Sequence, residues 1–276
     1  MKKVLIYCAS GYGERVHHLL DEEKYEVIGF VDRNAEVQQQ LVCGLKVYAP
    51  TEIPKLNYDL IVIAVAEFAA EIKKDLIEKY NVDSSKIEVY LGGRIDYLDE
   101  RIGALRAAVA MQKERGIEGA MAEVGVYRGD FARLLNRYFP DRRLYLFDTF
   151  TGFDDTRDEV KADDINDFSD TSVDLVLSRM TNKNSCIVKK GYFPDTAAGV
   201  EDKFALVSLD ADLYNPILAG LEYFYPRLVK GGFIFIHDFG SYYYTRVRDA
   251  VYDYAKQHDI AIVPLMDRCL SVIISK

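Results

Sequence analysis

The sequence predicts an α/β protein made of two doubly wound domains, each a mostly parallel sheet with helices on both faces. Three observations carry this. Short continuous apolar runs alternate with stretches of helical apolar spacing along the whole chain. The alternation breaks once, at Gly92-Gly93, and then restarts. A glycine turn follows the first apolar run of each half. The 276 residues leave room for about two domains, and 49% apolar with 29% charged residues is a globular balance, not a disordered or fibrous one.

The elements follow in order. Val4 to Tyr7 is a strand ended by Ser10-Gly11-Tyr12-Gly13, and Glu14 to Glu22 is a helix through Val16, Leu19 and Leu20. Tyr25 to Val31 is a strand closing on Asp32, and an irregular stretch follows. Leu60 to Val65 is a strand, Glu71 to Tyr80 a helix and Ile87 to Leu91 a strand. Continuous apolar strands between helices imply a parallel sheet buried on both faces, here a small Rossmann-like unit over 1–93. A helix from Tyr97 to Arg115, stopped by Gly116, opens the second domain, 94–276. There the strands are Ala120 to Val124, Leu144 to Phe147, Ser185 to Lys189, Ala205 to Leu209 and Phe233 to Ile236. The helices are Asp130 to Tyr138, Ser172 to Met180, Pro216 to Leu228 and Val247 to His258. Strands Ile260 to Val263 and Leu270 to Ser275 are joined too closely for a helical crossover, so the sheet should end in an antiparallel hairpin.

Composition narrows the partners. With 35 Lys and Arg against 44 Asp and Glu, and the deficit shared by both halves, nucleic acid and anionic membrane surfaces are disfavoured. Cys8, Cys43, Cys186 and Cys269 show no Cys-x-x-Cys spacing, so neither a zinc cluster nor a disulfide framework is expected. Val4 to Ala9 is too short for a signal peptide, and the longest apolar stretch, Leu60 to Ala66, is far below a membrane span. A cytoplasmic protein without membrane insertion is the expectation, with a small molecule as substrate and a homo-oligomeric assembly.

In an open α/β sheet, ligands bind beyond the carboxyl ends of the strands, where strand order reverses. The polar residues of the second domain fall there. Glu123-Val-Gly125-Val-Tyr127-Arg-Gly129 follows the first strand, Asp148 the second, Gly191-Tyr192 the third, Asp210-Ala-Asp212 the fourth and His237-Asp238 the fifth. Gly125 and Gly129 permit a sharp turn that presents amide donors to a ligand. Asp148 stands where an acid accepts hydrogen bonds from ribose hydroxyls. Glu-x-Gly-x-x-x-Gly has fewer glycines than a pyrophosphate cradle and adds a carboxylate. It suits a phosphate-free cofactor with an amino-acid end, S-adenosylmethionine, although the same glycines also serve a plain βα turn. Asp210, His237 and Asp238 sit on neighbouring strand ends. They either cap the following helices or converge on a divalent ion, Mg²⁺ or Mn²⁺, that lowers a substrate hydroxyl's pKa. His237 is then a ligand or a general base.

These blocks resemble one family. Ala122-Glu-Val-Gly-Val-Tyr-Arg-Gly129, Phe147-Asp-Thr-Phe-Thr-Gly-Phe153, Gly191-Tyr-Phe-Pro-Asp-Thr196, Ser208-Leu-Asp-Ala-Asp-Leu-Tyr214 and Tyr225-Pro-Arg-Leu-Val-Lys-Gly-Gly232 with Ile236-His-Asp-Phe-Gly240 look like the macrocin O-methyltransferases. The resemblance implies a class I, S-adenosylmethionine-dependent methyltransferase sheet acting on a hydroxyl, usually of a sugar on a natural product, with Mg²⁺ held by aspartates. It places Asp210 at the first metal aspartate and catalytic position, and His237-Asp238 at an Asp-Asp pair. It also puts Glu123, Gly125 and Asp148 on cofactor positions, and Tyr127, Gly129, Gly191 and Tyr192 along the same rim complete the cofactor-binding set expected here. His237 departs from the pattern, since imidazole is a poor ligand for Mg²⁺ and an acceptable one for Mn²⁺. The acidic stretch Asp154 to Asp170 is either a lid or a solvated loop, and Tyr242 to Tyr244 either line the acceptor pocket or pack on the next helix.

In the first domain, Gly11-Tyr-Gly13 and Gly29-Phe-Val-Asp32 resemble the small nucleotide-binding domain of sugar-processing enzymes. That domain either serves assembly or binds a sugar nucleotide presenting the methyl acceptor. Two further classes stay open at this point: a non-catalytic cofactor binder, and an oxidoreductase using the N-terminal glycine turn, which lacks a Tyr-x-x-x-Lys pattern.

Overall fold

The computed structural model describes residues 1–65, 67–90, 100–153, 157, 168–241, 243–267 and 269–276. The chain divides into two compact units, Met1–Ala107 and Ala108–Lys276. The expected boundary at Gly93 lies outside the described residues.

The N-terminal unit is a six-stranded sheet in the order β3-β4-β2-β1-β5-β6. Its strands are β1 (Lys2–Tyr7), β2 (Tyr25–Val31), β3 (Leu41–Val42), β4 (Leu45–Tyr48), β5 (Leu60–Ile63) and β6 (Ile87–Val89). Alternation along the strands splits the apolar set between two faces. Leu5, Tyr7, Ile61 and Ile63 pack with Ile72 and Leu76 of α2 (Ala69–Glu78), while Val4, Ile6 and Val62 pack with Val16 and Leu20 at α1 (Gly11–Leu19). Sequence reading left β3 and β4 inside an irregular stretch. They form a short antiparallel hairpin through Cys43 and Gly44, both at positive φ (50° and 76°). A two-residue turn of that geometry is normally signalled by Asn-Gly, and Cys43 hides it.

In the second unit, β7 (Ala120–Val124), β8 (Leu144–Asp148), β9 (Cys186–Lys190), β10 (Phe204–Leu209), β11 (Leu228–Ile236), β12 (Val263–Pro264) and β13 (Val272–Ser275) form one sheet, ordered β12-β13-β11-β10-β7-β8-β9. Strands β9 to β11 in that order are parallel, and β13 and β12 are antiparallel. Order reverses between β7 and β10. The helices are α4 (Ala132–Tyr138), α5 (Val173–Ser178), α6 (Tyr214–Arg227) and α7 (Arg246–His258). Ala122, Val124, Val207, Leu209 and Ile236 pack with Ile217 and Leu221 of α6 and Val247 and Val251 of α7.

Helix α3 (Glu100–Glu114) carries the division between the units within it; residues 97–99 of the expected helix lie outside the described set. In the N-terminal unit, Arg106 Nη1 donates to the carbonyls of His18 (2.5 Å) and Leu20 (2.6 Å). In the second unit, Gln112 Nε2 donates to the carbonyl of Ala205 at 2.8 Å.

Two strands of the second unit differ most from expectation: β11 begins at Leu228, five residues before Phe233, and the strand after α7 is shorter. Ile260 to Val263 shrinks to Val263–Pro264 because α7 ends on Asp259 in the left-handed conformation, and Ile260 N–H returns to the Ala255 carbonyl. The chain therefore reaches the sheet edge late.

Candidate active site

Register builds the site. Val124, Phe147, Leu209 and Ile236 lie in one row across β8, β7, β10 and β11. The residues that follow them, Gly125, Asp148, Asp210 and His237, form the rim of the sheet. Their amides continue the ladder: Gly125 to Phe147, Asp210 to Val124 and His237 to Leu209, at 3.0, 2.8 and 3.0 Å. Gly191 reaches the same rim, its N–H donating to the Asp148 carbonyl at 2.9 Å.

The glycine turn is organised by Asp148. Its Oδ2 accepts the N–H groups of Val126 (2.7 Å) and Tyr127 (2.9 Å), and its Oδ1 accepts that of Phe150 (2.6 Å). This corrects the expectation that the turn aims its amides at a ligand, since two of them are taken by the neighbouring acid. Helix α4 starts only at Ala132 and has seven residues. Gly125 (φ 80°) and Gly129 (φ 78°) do require glycine, for different reasons. A Cβ on Gly125 would lie 2.1 Å from the Asp210 carbonyl oxygen, and one on Gly129 would press on Val176 of α5 at 3.1 Å. Glu123 is nearly fully buried within β7, on the face opposite Ala122 and Val124.

Tyr127 adopts a positive φ of 48° and donates its hydroxyl to Asp170 at 2.6 Å. Arg128 pairs with the same carboxylate, and the Tyr127 hydrogen bond with the Arg128 charge holds the Asp170 pKa below the usual carboxylate range, against the smaller opposing effect of burial. The sequence reading placed Arg128 in the glycine turn and Asp170 at the end of the acidic stretch but did not pair them; a basic residue inside the turn beside an acid-rich stretch was the available signal. Tyr127, Phe153, Phe168 and Tyr244 form a chain of aromatic contacts at 5.1–6.5 Å between centroids. Tyr192 lies under the Arg157 guanidinium at 3.8 Å, and Arg157 pairs with Asp195 at 2.5 Å. The rest of the expected lid, 154–156 and 158–167, and Tyr242 lie outside the described residues.

The second cluster forms where β10 and β11 end. His237 Nδ1 stands 2.9 Å from Asp210 Oδ1 and 2.5 Å from Asp238 Oδ2. Asp212 joins them: one carboxylate oxygen from each of Asp210, Asp212 and Asp238 lies within 4.8 Å of the others. Burial, followed by the charges of Asp210 and Asp238, raises the Asp212 pKa well above the ordinary carboxylate value. Burial also works to raise that of Asp238, but the hydrogen bond and charge of His237 outweigh it and the net shift is downward. Asp212 (φ 61°) and Asp238 (φ 56°) are both held in the left-handed region, at a cost of about 1 kcal/mol each. Cys269, from the β12–β13 connection, meets His237 and Asp238 with its sulfur. Neither Asp212 nor Cys269 was singled out from sequence. Asp212 shared its strand end with Asp210 and was visible; Cys269 is 31 residues beyond Asp238 and only the hairpin brings it back.

A seven-stranded sheet of this order, with a glycine turn after its first parallel strand and an acid after the next, defines a class I methyltransferase. The macrocin O-methyltransferase (TylF) family model matches residues 97–267, and the chain belongs to that family. It is an S-adenosylmethionine-dependent O-methyltransferase. Residues 1–88 match a second model, the C2185-like N-terminal domain. Among curated relatives, the chain is 29% identical over 181 residues to mycinamicin III 3''-O-methyltransferase of Micromonospora griseorubida, covering 59% of this chain and 70% of the relative. It is 30% identical over 179 residues to 8-demethyl-8-(2,3-dimethoxy-alpha-L-rhamnosyl)-tetracenomycin-C 4'-O-methyltransferase of Streptomyces olivaceus, covering 59% and 67%. Of solved structures, the O-methyltransferase NovP shares the fold at TM-score 0.55 and 23% identity, over 64% of this chain and 79% of that one. No helix among the described residues is long and apolar enough to cross a membrane.

Proposed function

We propose that the second unit transfers the methyl group of S-adenosylmethionine to a hydroxyl of a sugar, or of a sugar-bearing small molecule, with Asp210 as the base. The observation that carries this is the contact between the glycine turn and Asp210, which sets the cofactor side of the rim against the acidic cluster. The sugar assignment is supported by the curated relatives, whose names describe O-methylation at 3'' and 4' positions.

In this reading Gly125 to Gly129, Asp148, Gly191 and Tyr192 hold the cofactor, with Glu123 supporting the turn from within β7. When bound, S-adenosylmethionine would supply the methyl group and leave as S-adenosylhomocysteine, the new O–CH₃ bond replacing its S–CH₃ bond; the Asp210 carboxylate would take the acceptor hydroxyl's proton. His237, between Asp210 and Asp238, fixes the Asp210 carboxylate and shares its charge, as an imidazole does when a second carboxylate orients it. Phe153, Phe168 and Tyr244 supply aromatic faces for the acceptor.

The donors fit a divalent ion. Asp210, Asp212 and Asp238 bring three carboxylates together, and Asp238 also meets His237 and Cys269; burial first, and then the negative charge of Asp210 and Asp238, raises the Asp212 pKa, and a cation offsets the charge part. Asp210, His237 and Asp238 would hold it, and when bound it supplies Lewis acidity that lowers the acceptor hydroxyl's pKa. The function is tested by incubating the protein with S-adenosylmethionine and a panel of free, nucleotide-linked and aglycone-linked hexoses, read by mass spectrometry. O-methylation of a sugar hydroxyl supports it. Transfer only to nitrogen, sulfur or a non-sugar phenol contradicts it.

A further inference from the structure

The side chains around His237 do not form an all-oxygen site. One ligand-type atom from each of His237, Asp238 and Cys269 lies within 4.8 Å of the others, and Asp238 also belongs to the carboxylate group with Asp210 and Asp212. One imidazole nitrogen, one thiol sulfur and one carboxylate oxygen thus face one another, beside a second group that shares Asp238. Mg²⁺ is hard, prefers oxygen and keeps much of its water, whereas mixed nitrogen, sulfur and oxygen donors suit later first-row ions.

Cys269 is built into this position. Gly240 N–H, two residues past Asp238, donates to the Cys269 carbonyl at 2.9 Å. A Cβ on Gly240 would meet the Leu270 Cβ at 2.5 Å, so the glycine lets the two loops touch. Beneath them, buried Asp267 accepts both the N–H and the hydroxyl of Ser271 at 2.6 Å, which pins the hairpin end carrying Cys269.

We propose that this centre takes a borderline transition ion, of the Co²⁺ or Zn²⁺ kind, in preference to Mg²⁺, with Cys269 Sγ and the His237 imidazole among its ligands. The proposal rests on the methyl-transfer reading for the ion's purpose, and on the side-chain arrangement for its identity.

The test titrates the metal-stripped full chain with Co²⁺ alone, recording the near-ultraviolet absorption of thiolate-to-cobalt charge transfer, and competes the bound Co²⁺ with Mg²⁺. The expected result is one equivalent of Co²⁺ with a charge-transfer band that is lost in Cys269→Ser, kept in Cys43→Ser, and not displaced by excess Mg²⁺. Retention of native circular dichroism in Cys269→Ser shows that the loss is local. A wild-type spectrum without the band, a band that survives Cys269→Ser, or displacement of Co²⁺ by the excess Mg²⁺ overturns the proposal. The two readings fail separately: a missing band with methyl transfer intact removes this inference alone, and a normal spectrum without methyl transfer removes the functional reading alone.

Discussion

A Cβ on Gly125 would sit 2.1 Å from the carbonyl oxygen of Asp210. Their preceding residues, Val124 and Leu209, are paired across β7 and β10, so the glycine turn and Asp210 are held together by one backbone contact. Gly125→Ala adds strain at φ 80° and a clash with main chain. It is expected to destabilise the protein by roughly 2–5 kcal/mol in urea unfolding, and to weaken S-adenosylmethionine binding and slow methyl transfer together. Unchanged stability would contradict the packing account.

Asp148 holds the same turn through three backbone N–H groups. Asp148→Asn removes the charge and, whichever way the amide is placed, turns one acceptor into a donor facing an N–H. The expected cost is about 1–3 kcal/mol in urea unfolding, with weaker cofactor binding in calorimetry. Asp148→Ala should cost at least as much; an asparagine variant with wild-type stability and affinity would remove the turn-holding role.

Tyr244 touches Phe153 and Phe168 at 6.3 and 6.5 Å. Taking this wall as the acceptor surface, Tyr244→Ala should raise the acceptor KM about two- to tenfold, the value of one aromatic contact, while the dissociation constant for S-adenosylmethionine stays the same. A change in cofactor affinity with KM unaltered would move the wall to the cofactor side.

The N-terminal unit makes its own pH prediction. Burial, then the charges of His18 and Arg106, lowers His17 to about 4. The folded-state value is depressed, so the neutral ring is the one the fold accepts. Above about pH 6.5 the stability is complete, and as pH falls toward 4 the unfolded chain takes up a proton that the folded chain refuses. The loss reaches about 2–3 kcal/mol, and burial of His18 acts in the same direction. Urea midpoints of this unit followed across that range should fall for the wild type and flatten in His17→Leu; parallel curves would exclude His17 as the cause.

Much of this molecule was legible in its residues. Continuous apolar runs gave the parallel strands, and the polar ends of β7, β8, β10 and β11 gave the rim because strand register puts equivalent positions side by side. What stayed hidden depended on tertiary placement. Asp148 sits where a ribose acid is expected, yet it accepts the amides of Val126 and Tyr127 in the glycine turn and of Phe150 just beyond it, and Asp32 likewise accepts those of Ala9 and Asn34. A sequence shows the acid and the turn but not which donor the acid takes. Cys269 escaped notice because its partners are assembled by a hairpin whose outer strand has only two residues.

The central claim is that Asp210 takes the acceptor proton while the turn beside it holds the cofactor. Single-turnover methyl transfer by Asp210→Asn, measured beside calorimetry with S-adenosylmethionine, tests it most directly. The account predicts a rate lower by about 10²–10⁴ with cofactor affinity little changed. A rate near wild type, or a loss of cofactor binding that explains the lost rate, would contradict it.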